Sequence, residues 1–93
     1  MPGTDYKELL KNGAILIDVR TRNEYQSGHI EGSLNISLQD LRYNLSELDK
    51  DKIIIVCCAS VARSDAARSI LKSNGFAQVH NGGGWVSLQN SIG

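Results

Sequence analysis

Apolar residues along this chain fall into two kinds of run. Residues 14–19 and 53–57 are continuous aliphatic blocks, the first closed by Asp18. A block of that length between polar turns reads as a strand buried on both faces. Elsewhere the apolar positions are spaced for helices. Residues 5–11 form a short helix, capped by Thr4 or Asp5 and ended by Asn12-Gly13. Leu38, Leu41, Leu45 and Leu48 recur at helical spacing over residues 38–48. Ala66, Ala67, Ile70 and Leu71 share one face of a helix over residues 63–74, with Gly75 just beyond it. Between these lie a turn or short helix at 21–27, a loop at 28–32, a short strand at 33–36 and a charged turn at 49–52. A short strand at 78–80 and a glycine-rich turn at 81–84 follow, and then a tail at 85–92 with one helical turn.

Strands that alternate with helices predict an α/β domain, a small parallel sheet with helices on both faces. The strand at 53–57 is its centre. In such sheets ligands bind beyond the strand C-termini. Asp18 and Cys58 stand at two such ends, so the pattern puts both in one crevice.

The chain has 93 residues, which is the size of a single domain spanning residues 1–93. Ten basic and ten acidic residues are interspersed and sum to zero net charge, and no basic block marks a nucleic-acid or membrane-surface partner. The longest apolar run, residues 53–59, is too short to cross a membrane. Residues 1–5 lack the apolar core of a secretory leader, and no weight is placed on residues 1–3. The two cysteines are sequence neighbours, which rarely bridge, so a reducing, cytoplasmic setting is expected. Two histidines and two adjacent cysteines give no metal-ligand spacing, and no cofactor is expected.

The chemistry concentrates at residues 53–64. A strand runs into Cys58, a loop of small residues follows, and Arg63-Ser64 leads into a helix. Backbone N–H groups of that loop and the positive end of the helix favour a thiolate. Cys57 alternates away from Cys58 and reads as a core residue. Arg63 has two readings, an ion pair that buttresses the loop and direct anion binding. Asp18 reads as structural, accepting loop N–H bonds, and Arg20 with Glu24 reads as an ion pair at i, i+4. His29 reads as a structural histidine, and His80 has no evident role. Gly82-Gly83-Gly84 reads as a tight turn beside the loop, and Trp85 as core or crevice wall.

Three segments together resemble the rhodanese superfamily in its single-domain form. Residues 18–36, DVRTRNEYQSGHIEGSLNI, match the family's D-V-R-x-x-x-E-[YF]-x-x-G-H-I-x-G-[AS]-x-N-[IV] signature at every fixed position. The strand–Cys–loop–Arg-Ser–helix unit is the second segment, and residues 81–85, NGGGW, are the third. The resemblance implies a doubly wound domain that transfers sulfane sulfur through a cysteine persulfide. It maps the nucleophile to Cys58 and the anion-binding loop to Ala59, Ser60, Val61, Ala62, Arg63 and Ser64. It implies a small donor such as thiosulfate, a persulfide or a polysulfide. The acceptor is a thiol, sulfite or cyanide, or a thiol-bearing protein. Two positions depart from the usual loop. Val61 stands where glycine is usual, so a loop needing positive φ there takes another path. Ala59 is uncharged where many relatives carry a basic residue, a rim that favours thiosulfate less than persulfides.

Two other functions fit parts of the pattern. Cys57-x5-Arg63 has the spacing of cysteine-dependent phosphatases and some arsenate reductases, although Val56 rather than histidine precedes it. A non-catalytic binding module would account for Val61, but such a domain would more often have lost the thiol.

Overall fold

The computed structural model describes residues 4–93, so the reading of residues 1–3 lies outside the described residues. Asp5 opens the first helix, α1 (Tyr6–Lys11), by accepting the Glu8 N–H at 3.1 Å, and Asn12 closes it. Strand β1 (Ile15–Asp18) follows, then α2 (Arg22–Gln26). The start of α2 is fixed by a capping box. The Thr21 side chain receives the Glu24 N–H and the Glu24 carboxylate receives the Thr21 N–H. The remaining elements are β2 (Leu34–Asn35), β3 (Ile54–Cys58), α3 (Val61–Ser73), β4 (Val79–Gly84) and α4 (Trp85–Ile92).

The four strands are parallel in the order β2-β1-β3-β4, so β3 is interior as its composition requires. Its side chains alternate between two buried layers. Ile54, Val56 and Cys58 face one layer with Val19, Ala67, Leu71 and Phe76. Ile55 and Cys57 face the other with Leu16, Ile30 and Leu88, backed by α1 and Trp85. Helices thus cover both faces, which is the expected α/β architecture.

Several boundaries differ from the sequence pattern. Residues 38–48 form no α-helix but two 3-10 turns, Leu41–Tyr43 and Leu45–Glu47. Asn44 separates them at φ −118°, its side chain donating to the Asp40 carbonyl at 2.8 Å. A short polar side chain that bonds nearby backbone in this way interrupts a regular helix. Leu41 and Leu48 still reach the core. The central strand extends one residue beyond 57, to Cys58, and α3 begins at Val61, two residues before the expected start. The glycines at 82–84 are no free-standing turn but the end of β4, and residues 85–92 make a full eight-residue helix. Gly82 is forced by close approach. A Cβ there would lie 2.9 Å from Leu88 Cδ2 and 3.1 Å from the Val56 carbonyl oxygen. Gly83 adopts φ +77°, which bends β4 toward the end of β3.

Candidate functional site

Asp18 pairs in register with Cys57, and Cys58 pairs with Gly84 past a register shift that leaves one extra residue on β4. The C-terminal ends of β1, β3 and β4 therefore meet at one edge, with Asp18 and Cys58 close together as expected. Cys58 is buried, while Ala59, Ser60, Val61 and Ala62 are exposed around it. Ser60 is extended and makes no side-chain cap on α3. In α1 and α2 the first helical bond runs from Leu9 N–H to the Asp5 carbonyl and from Tyr25 N–H to the Thr21 carbonyl. At the equivalent place in α3, Ser64 N–H donates to Cys58 Sγ at 3.2 Å, and the thiol in turn donates to the Ser60 carbonyl. The sulfur is thereby seated in the first turn of α3, where free N–H groups and the helix dipole favour negative charge.

Residues 61–64 are thus helical rather than loop, and Val61 has no positive φ. The chain enters the helix directly after Ser60, leaving Val61 62% exposed.

Cys57 points into the opposite layer, and desolvation pushes its thiol up to about 12, with the Asp18 charge adding to the effect. Its side chain lies in the buried layer opposite the one that holds Cys58.

The charged residues pair differently from the spacing rule. Arg20 takes Asp18 as its partner: Nη2 reaches Oδ2 at 2.7 Å, Nε contacts both carboxylate oxygens at 3.0 Å, and Arg20 N–H adds a further bond to Oδ1. The N–H that Asp18 accepts is therefore one of its own loop. Arg20 reaches only the backbone carbonyl of Glu24, so the expected Arg20–Glu24 ion pair does not form. Its other contacts are the Gly28 carbonyl at 2.7 Å and the Trp85 ring, whose centroid lies 4.6 Å from the guanidinium carbon. The hydrogen bond with Asp18 raises the Arg20 pKa. Glu24 belongs to Arg63, in a two-pronged pair at 2.8 and 3.0 Å. That pair, helped by the Thr21 N–H, holds the Glu24 carboxyl down at about 2. The ion pair expected of Arg63 is formed, with Glu24 as its partner.

His29 is exposed, with Nδ1 2.8 Å from the Tyr25 carbonyl oxygen and its ring stacked on Tyr25 at 3.8 Å. Trp85 is half-buried against Gly28 and Arg20, a crevice wall. His80 lies within β4, edge-on to Tyr6. Two residues escaped the sequence reading. Asn81 Oδ1 accepts from Ser64 Oγ at 2.5 Å and from Gly83 N–H at 2.9 Å, tying α3 to the end of β4. Asn35 Nδ2 donates to the Asp18 and Arg20 carbonyls, holding the β1 terminus. Asn35 is a fixed position of the 18–36 signature and Asn81 opens the 81–85 glycine motif, but neither motif by itself gives its asparagine a partner. Among the described residues no three of His, Cys, Asp and Glu gather as metal ligands. No helix of the described residues is long and apolar enough to cross a membrane.

Comparison with known proteins agrees with this architecture. Residues 3–91 match the model of the family described as rhodanese-like domain. The chain is 40% identical over 68 residues to the uncharacterized protein YqhL of Bacillus subtilis, covering 73% of this chain and 54% of that protein, so it spans about half of YqhL. It is 34% identical over 70 residues to the thiosulfate sulfurtransferase PspE of Escherichia coli, covering 73% of this chain and 67% of PspE. Among solved structures, the Rhodanese_3 like domain from the Anabaena sp. Alr3790 protein superposes with a TM-score of 0.78 at 32% identity, over 87% of this chain and 94% of that one.

Proposed function

The chain belongs to the rhodanese-like domain family, and from that premise we propose that it moves sulfane sulfur from a small donor to a thiophilic acceptor through a persulfide on Cys58. The observation that carries this reading is the seat of the Cys58 sulfur in the first turn of α3, 3.2 Å from the Ser64 nitrogen. A thiolate there attacks the outer sulfur of the donor. The donor S–S bond breaks, its remnant leaves with the electron pair, and the new terminal sulfur on Cys58 carries the charge. The Ser64 N–H, already on the sulfur, and the positive end of α3 favour that charge with no reorganisation of the helix. An acceptor thiol, sulfite or cyanide then takes the sulfur and returns the thiolate. Arg63 acts through its bond to Glu24, which fixes the first turn of α3 to α2. No general base is required, because sulfide-like and sulfite leaving groups depart without protonation.

The phosphatase reading places its nucleophile at Cys57, whose side chain lies in the Leu16, Ile55 and Leu88 layer while the first turn of α3 meets Cys58, and this speaks against it. Intact-protein mass after exposure to thiosulfate, and separately to glutathione persulfide, tests the proposal. A gain of one sulfur is expected, lost on addition of cyanide, abolished in Cys58→Ser and retained in Cys57→Ser. A dead Cys57→Ser with an active Cys58→Ser would overturn it.

A further inference from the structure

A groove of about 560 Å³ opens beside the loop. Cys58 does not line it, but two lining residues adjoin the surroundings of the thiol. Val19 belongs to the same buried layer as Cys58, and Arg63 directly precedes Ser64, whose N–H meets the sulfur. From Arg63 the wall continues along α3 through Ala66 and Ile70, and Leu38 and Arg42 lie among the other lining residues.

Charge is distributed unevenly over this surface. The exposed loop residues Ala59, Ser60, Val61 and Ala62 carry none. Both prongs of Arg63 are committed to Glu24. Arg42 is exposed and has no carboxylate partner among the described residues. A small inorganic dianion at the sulfur meets the partial charge of the helix end but no uncommitted cation within the loop. An organic donor finds an apolar wall of Leu38, Ala66 and Ile70 for its body and a guanidinium for a carboxylate.

We propose that this groove binds the organic body of the sulfur donor, the persulfide of a carboxylate-bearing low-molecular-weight thiol, with Arg42 as its carboxylate contact. The inference rests on the reading that Cys58 accepts sulfur. The step is balanced without a redox partner. The Cys58 thiolate bonds to the outer sulfur of R–S–SH, the S–S bond of the donor breaks, R–S⁻ leaves with the pair and takes up the proton of the transferred sulfur, and the charge is left on the new terminal sulfur of Cys58.

The test compares persulfide formation on Cys58, read by intact mass against donor concentration, for wild type, Arg42→Glu and Arg42→Lys. Three donors are used: glutathione persulfide, the carboxylate-free persulfide of N-acetylcysteine methyl ester, and thiosulfate. For glutathione persulfide, Arg42→Glu is expected to raise the half-saturating concentration about tenfold or more, the loss of one charge-assisted bond, with the maximal rate kept. Arg42→Lys retains most of the binding. The other two donors shift by less than about twofold, which also shows that the variant is folded. An equal loss for all three donors, or an unchanged response to glutathione persulfide, overturns the groove assignment while leaving the sulfurtransferase reading intact. Failure of every donor to charge wild-type Cys58 overturns that reading itself.

Discussion

The Cys57 thiol sits near 12 because burial costs its thiolate the solvation that a charge needs. Its neighbour meets a helix N–H instead. In Cys58→Ser, Cys57 is therefore expected to resist iodoacetamide at pH 9 and to label fully once urea unfolds the chain; rapid labelling of the folded variant would contradict its burial. The Glu24 carboxyl offers a second measurable group. Held at about 2 against an ordinary 4.5, it is ionised in the folded state where the unfolded chain has begun to take up a proton. Its contribution to stability is complete above pH 4.5 and is lost as pH falls from 4.5 toward 2. Carboxyl NMR titration should find its midpoint near 2 in wild type and shifted upward toward the ordinary value in Arg63→Gln. An unshifted midpoint would mean that the Thr21 N–H, not Arg63, sets it. This pair was invisible in the sequence because its partners lie 39 positions apart. The i, i+4 rule misassigned Arg20 for a related reason: it presumes helix over residues 20–24, and α2 starts only at Arg22.

Elements with an unbroken pattern were legible in type, and their ends were not. The blocks at 14–19 and 53–57 became strands because neither period nor polarity offered an alternative. The spacing of Leu38, Leu41, Leu45 and Leu48 is that of an α-helix, but the chain breaks at Asn44, at φ −118°, into two 3-10 turns. The start of α3 matters most for the site. Val61 in its first turn commits the Ser60–Val61 peptide to helix entry and leaves the Ser60 carbonyl on the sulfur. Glycine at 61 frees that peptide to turn an N–H toward the sulfur instead. Val61→Gly is expected to raise thiosulfate turnover and to lower stability by about 0.5–1 kcal/mol, the usual entropic cost of glycine. Turnover assays and denaturant melts check both. Unchanged or lower turnover would remove Val61 from the control of the loop. Gly82 and Gly83, read as a turn, proved to be strand because a neighbouring layer presses on Gly82 and β4 must bend at Gly83. Such packing leaves no local signature.

At the scale of the molecule, parallel strands place Asp18 and Cys58 at one edge of the sheet, which is why the crevice could be read from the order of elements alone. What holds that edge could not. Asp18 is fully buried and Arg20 is 4% exposed. Arg20 also ties the end of β1 to the carbonyls of Glu24 and Gly28 and to Trp85 of α4. A buried pair of this kind is costly to break from one side, because the remaining charge keeps its burial and loses its counter-charge. Asp18→Asn preserves volume and one acceptor but removes that counter-charge. The expected loss is about 3–5 kcal/mol, which in a domain of this size lowers Tm by more than about 10 °C. Asp18→Asn combined with Arg20→Met should recover part of that loss, since the uncompensated guanidinium is gone. A fall below about 3 °C for the single variant would mean that the Glu24 and Gly28 carbonyls satisfy Arg20 by themselves. A double variant less stable than the single would place the value of Arg20 in its cross-links between elements rather than in its charge.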